Sequence, residues 1–74
     1  MATSAAKKTP ETVGERVQRL RKARGLTQEE LGEAIQVTKG QVSRIESGDT
    51  SLTLARLPLL AKALGVKQSE LLES

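Results

Sequence analysis

The side chains in this sequence best equipped for chemistry are hydrogen-bond donors gathered on one short segment, Lys39 to Ser47. On a helical wheel of about 100° per residue, Val42 and Ile45 point to one side. Gly40, Ser43, Arg44 and Ser47 point to the other, with Lys39 on the first turn. A helix with an apolar inner stripe and an outer face of small and hydrogen-bonding residues is suited to lying in a groove. Covalent chemistry is poorly provided for. The chain has no Cys and no His, which removes thiolate and imidazole metal sites and every triad built on Ser-His or Cys-His. No paired-carboxylate or phosphate-loop pattern takes their place, so the sequence reads as a binding module and not an enzyme, with no metal and no cofactor expected.

The groove-facing segment needs a partner to hold it. Thr27 with Glu30, and Thr38 with Gln41, each match the reciprocal cap in which a Thr hydroxyl and a side chain three residues on satisfy the orphan amides of a helix start. Leu31 and Ile35 form the apolar stripe of the first segment, Val42 and Ile45 that of the second, and Val37 sits between them. Helix starts at this separation leave room for roughly two turns of helix and a turn of about three to four residues, the dimensions of a helix-turn-helix.

Seventy-four residues make one domain, and a chain of this size buries only about 60 to 65% of the surface its unfolded form exposes. Residues 1–8 are small, polar and unpatterned and read as a flexible N-terminal arm; residues 9–74 form the domain. Thr12 with Glu15 repeats the capping pattern, although Thr9 followed by Pro10 offers an earlier start. Either way the first helix runs to about Arg24, with Val13, Val17 and Leu20 inward and Gly25 ending it. A fourth helix is expected from near Leu57 with Pro58 in its first turn, because proline is tolerated there and not in a helix interior. Gly65 ends this helix. KQSELLES then makes a short fifth helix in which Leu71 and Leu72 cannot both face one small core. The expected fold is a compact all-α bundle of five helices.

Net charge is +3, and its distribution says more than its size. Seven of the twelve basic residues lie at or before Arg24, against two of the nine acidic ones, Glu11 and Glu15. That asymmetry predicts one positive end suited to phosphates. No apolar run approaches the ~20 residues needed to span a bilayer, and MATSAAKKTP lacks the apolar centre of a secretory signal, so the expected address is the cytoplasm.

The stretch from Thr27 to Gly48 resembles the helix-turn-helix of the Cro/C1 family, the lambdoid phage repressors and their bacterial relatives. The resemblance rests on Gln28, small Gly32, the apolar set Leu31, Ile35, Val37, Val42 and Ile45, and the ending R-I-E-S-G at Arg44 to Gly48. It extends through R-G-L-T-Q (Arg24 to Gln28) and A-K-A-L-G-V (Ala61 to Val66). It implies a sequence-specific regulator of transcription, a repressor or an activator, acting on double-stranded DNA as a twofold homodimer. The palindromic operator would have half-sites ~34 Å apart. It places Lys39, Gly40 and Arg44 at base-reading positions, with Thr38, Gln41 and Ser43 beside them. Arg and Lys both donate to the O6 and N7 of guanine, a contact worth ~1 to 3 kcal/mol of discrimination, so guanine-containing half-sites are expected. Phosphate contacts fall to Gln28, Thr27, Arg16, Lys7 and Lys8, a structural ion pair to Arg21 and Glu46, and the dimer contact to Val66, Leu71 and Leu72.

Two residues depart from the pattern. Gln36 stands where the turn usually has Gly, and Asp49 stands where relatives carry a basic residue, a position from which it would repel phosphate. Asp49 and an exposed apolar C-terminal face leave room for another class, an antitoxin or other module whose main partner is a protein such as a toxin or effector domain. The chain could equally be the DNA-reading part of a longer protein.

Overall fold

Three threonines set the first three helices of the computed structural model, which describes residues 11–72. Thr12 precedes α1 (Val13–Ala23), Thr27 precedes α2 (Gln28–Ile35) and Thr38 precedes α3 (Lys39–Glu46). Each hydroxyl accepts the amide three residues on, Glu15 at 3.1 Å, Glu30 at 3.0 Å and Gln41 at 3.1 Å. The side chains of those residues accept the threonine amides in return at 3.0, 2.9 and 2.9 Å. Each cap contributes about 1 kcal/mol. The start of α1 is therefore at Thr12; the expectations for the arm, for Lys7 and Lys8, and for a start at Thr9 lie outside the described residues.

The described residues are all-helical, and the chain after α3 contains a helix beyond those read from the sequence. Helix α4 (Thr50–Ala55) is six residues long, and Asp49 caps it by accepting the Leu52 amide at 3.0 Å. It cannot run on, because Pro58 has no N–H to give the Leu54 carbonyl. The chain turns at Arg56 and restarts as α5 (Leu57–Leu64) with Pro58 in the first turn, and α6 (Gln68–Leu72) follows. The described residues thus form six helices where periodicity predicted five, since six residues are too few to show a period.

The core is wholly aliphatic. Val17 from α1, Leu31 and Ile35 from α2, Val42 and Ile45 from α3, Leu60 and Leu64 from α5 and Leu71 from α6 are all buried, with Leu57 and Ala61 completing the cluster. Leu71, expected among the dimer contacts, is fully enclosed and cannot reach a partner. Leu72 is the exposed member of that pair at 46%, and Val66 is half-buried against the core.

Two close approaches fix how α3 sits. A Cβ on Gly32 would lie 2.7 Å from the Val37 carbonyl oxygen, so the turn between α2 and α3 folds directly onto α2. A Cβ on Gly14 would lie 2.6 Å from the Glu46 carbonyl oxygen, so α1 meets the last turn of α3 backbone to backbone. Gln36 ends α2 in the left-handed region at φ 65°, ψ 41°, where a side chain costs on the order of 1 kcal/mol. No described helix is long and apolar enough to cross a membrane.

Candidate nucleic-acid interface

Helix α3 is oriented from beneath by a polar junction. Arg21 Nε lies 2.6 Å from Glu46 Oε2, with the two side chains 9% and 5% exposed. Arg21 also donates through its other nitrogens to the Leu26 carbonyl at 2.8 Å and to Glu46 Oε1 at 3.4 Å. Gln28 Nε2 donates to the same Oε1 at 3.0 Å. One carboxylate thus joins α1, α2 and α3, and Arg21 adds the α1–α2 loop. Opposed charges withdrawn from water must be paired and hydrogen-bonded to be tolerable, and these are.

The opposite side of α3 faces solvent. Lys39, Gly40, Ser43, Arg44 and Ser47 are exposed, while Val42 and Ile45 beneath them are fully buried. Thr38 and Gln41, expected beside the base-reading positions, have their side-chain oxygens committed to the helix cap. Gly40 has no internal reason to be glycine, since an added Cβ would meet only the Thr38 hydroxyl at 3.8 Å. The side chain of Arg44 is 67% exposed, and its guanidinium donates to Asp49 Oδ2 at 2.7 Å. Asp49 thus faces Arg44 and the Leu52 amide. Those two contacts, the amide first, hold its carboxyl below the usual range.

Phosphate-facing expectations divide. Thr27 and Gln28 open α2, leaving the first amides of that helix without intrahelical acceptors. A shallow hollow at this point is bordered by Gly25, Leu26, Thr27, Gln28 and Lys39 together with Arg21 and Glu29. The Gln28 side chain itself is turned inward to Glu46, so only its backbone is available at the helix start. Arg16 is a correction. Its side chain is 13% exposed, donates to Glu11 Oε1 at 3.1 Å and to the Glu70 carbonyl at 2.7 Å, and so ties α1 to α6. Glu11 also receives Arg19 at 2.7 and 3.0 Å, and that contact above all holds its pKa down to about 2. Of the basic residues at this end, Arg16, Arg19 and Arg21 are thus paired with carboxylates of the fold.

Sequence reasoning missed Glu11, Gly14 and the capping role of Asp49. For Asp49 a signal existed, an Asp just after a glycine; Glu11 lies five and eight residues before Arg16 and Arg19, spacings outside the usual helical pairs, and the partners of Gly14 lie far along the chain. Among the described residues no group of His, Cys, Asp or Glu could hold a metal ion.

Residues 17–71 match the helix-turn-helix family. The fold is similar to that of the P22 c2 repressor protein in its crystal structure with synthetic operator 9T in the presence of Tl+, with a TM-score of 0.79 and 30% identity. That likeness covers 86% of this chain and 97% of the other. An uncharacterized HTH-type transcriptional regulator of Rickettsia prowazekii (strain Madrid E) is 36% identical over 52 residues, 70% of this chain and 40% of its own length. Another, from Sinorhizobium fredii (strain NBRC 101917 / NGR234), is 39% identical over 61 residues, 82% of this chain and 43% of its own. The chain thus spans less than half the length of these curated relatives. With its two-helix motif, its capped second helix and its match along most of its length, the chain belongs to the helix-turn-helix family of Cro/C1 type, a family of DNA-binding transcription regulators.

Proposed function

We propose that this domain binds duplex DNA sequence-specifically through the major groove and regulates transcription, repressing by occupying promoter DNA as a twofold dimer on a palindromic operator. The observation that carries this reading is the outer face of α3. Lys39, Ser43 and Arg44 stand in solvent on a helix whose inner face is fully buried, and Gly40 among them answers to nothing inside the fold. In a helix-turn-helix this second helix enters the groove by its N-terminal end while the first crosses the backbone. Arg44 and Lys39 read guanine, and the open amides at the start of α2 take a phosphate. The similarity to a repressor bound to operator DNA supports the same reading. A second copy docks on the apolar surface that Leu72 and Leu54 leave exposed, 46% and 52%, beside Val13. This work belongs at the nucleoid in the cytoplasm.

Selection from a randomised duplex library at two salt concentrations tests the proposal. Enrichment of a guanine-containing inverted repeat, lost in Arg44→Ala, is the expected result. Retention that enriches no sequence and vanishes as salt rises would leave only phosphate attraction and would turn the search toward a protein partner.

A further inference from the structure

Arg44 is a long, exposed side chain expected to read a base, yet it does not hang free. Its guanidinium donates a single bond, from the second terminal nitrogen to Asp49 Oδ2 at 2.7 Å. A guanidinium carries five N–H groups in a planar fork. One of them on Asp49 leaves four for a ligand, enough for the two-bond contact that guanine O6 and N7 can accept.

The residue that holds Arg44 is itself fixed at several points, one on its carboxylate and the rest on its backbone. Asp49 Oδ1 accepts the Leu52 amide at 3.0 Å, and the Asp49 carbonyl accepts the Thr53 amide at 3.0 Å and the buried Thr53 hydroxyl at 2.8 Å. The Asp49 amide donates back to the Arg44 carbonyl at 2.9 Å. A carboxylate restrained in this way can restrict an arginine that would otherwise sample many rotamers. Immobilising such a side chain before binding lowers the entropy lost on binding, by an amount equivalent to roughly two- to tenfold in affinity.

Resting on the DNA-reading role above, we propose that Asp49 is a positioning residue for base recognition: it buttresses Arg44 so that the free edge of the guanidinium is presented to guanine. Its negative charge, close to the backbone of any bound duplex, also weakens nonspecific attraction. Both effects widen the gap between the right sequence and the wrong one. This gives the acidic residue a part in specificity that a phosphate-repelling position alone does not supply.

The alternative is that Asp49 serves only α4, or competes with the base for Arg44. Asp49→Asn and Asp49→Ser separate these roles, because Asn and Ser are both good helix caps while neither carries the charge, and Ser is also too short to reach Arg44. Library selection and competition binding on wild type, both variants and Arg44→Ala locate the base pair that Arg44 reads. The proposal predicts that the two Asp49 variants keep their fold by circular dichroism, bind random duplex more tightly, and lose about two- to tenfold of the guanine preference at that base pair. In the free protein, the Arg44 guanidinium should be restricted in wild type and mobile in both variants by nitrogen NMR relaxation. Unchanged guanine preference in folded variants would overturn the proposal and leave Asp49 a cap alone; increased preference would overturn it in favour of competition. Equal Arg44 mobility in the free proteins would also overturn it, without touching the regulator reading. If wild type itself enriches no sequence, the regulator reading fails and this proposal fails with it.

Discussion

Helix α3 takes part in two arginine–carboxylate pairs on opposite sides, and their chemistry is the same while their surroundings are not. On the inner side Arg21 and Glu46 meet at 2.6 Å with side chains 9% and 5% exposed; on the outer side Arg44 and Asp49 meet at 2.7 Å with 67% and 21%. Water decides what each pair does. The inner charges are shut away from solvent and answered only by groups of the fold, so the pair holds three helices in one arrangement. The outer pair contributes little to stability, because water and salt screen it, and that leaves its arginine available to a ligand. One short helix thereby separates a face that is folded against from a face left open in solvent, the one proposed to read DNA.

Breaking the inner pair is the largest test of this contrast. Glu46→Ala leaves the Arg21 guanidinium buried without its carboxylate and strips Gln28 of its acceptor, at an expected cost of about 3 to 5 kcal/mol. Thermal and urea unfolding followed by circular dichroism measures it, and the absence of Trp and Tyr makes fluorescence unsuitable. A loss below about 1 kcal/mol, the range of exposed pairs, would remove the distinction between the two sides.

The next test leaves every charge in place. Gly14→Ala pushes a methyl group against the Ile45 and Glu46 carbonyls, 2.7 and 2.6 Å away, and overpacking of this kind costs about 1 to 3 kcal/mol. Because the collision is at the end of α3, DNA affinity should fall with stability, unlike the effect of a change confined to the outer face. Gln36→Gly works in the other direction. Relieving the left-handed backbone at φ 65° should stabilise by up to about 1 kcal/mol, less the extra freedom of glycine in the unfolded chain, seen as a higher unfolding midpoint.

The smallest effect concerns the half-buried carboxylate Glu11 at the surface. Its pKa is held down to about 2 from 4.5, by Arg19 first, so its folded form is the poorer proton acceptor. Its contribution to stability is therefore complete above about pH 4.5 and is lost as the pH falls toward 2. Carbon NMR titration of the Glu11 carboxyl should show a midpoint near 2 in wild type and a rise toward the ordinary value in Arg19→Ala.

The inner side of α3 was more legible in the sequence than the outer. Three Thr-x-x-Glu/Gln boxes marked three helix starts, and the stripes Leu31/Ile35 and Val42/Ile45 lie in the core as their spacing demands. Capping and periodicity are local physics, and local physics is written in consecutive residues. What escaped depends on where side chains and helices come to lie, through contacts as near as Asp49 with Leu52 and as far as Arg16 with the Glu70 carbonyl. Arg16 counts as free positive charge until folding brings Glu11 and the Glu70 carbonyl to it. Leu71 and Leu72 are equivalent by composition, and only the position of α6 decides that Leu71 is enclosed and Leu72 exposed. Asp49 reads as an acid facing phosphate because its ties, to the Leu52 amide and to Arg44, appear only once α4 forms.

The most direct measurement is Arg44→Ala carried through two assays, unfolding by circular dichroism and binding to the duplex selected by the wild-type protein. Removing an exposed side chain should leave stability within about 0.5 kcal/mol. Removing the guanine-reading fork should weaken binding to the selected duplex by ~1 to 3 kcal/mol, with the loss confined to guanine-containing sequence. Unchanged affinity, or a uniform loss on all sequences, would contradict the assignment of the outer face of α3 as the reading surface.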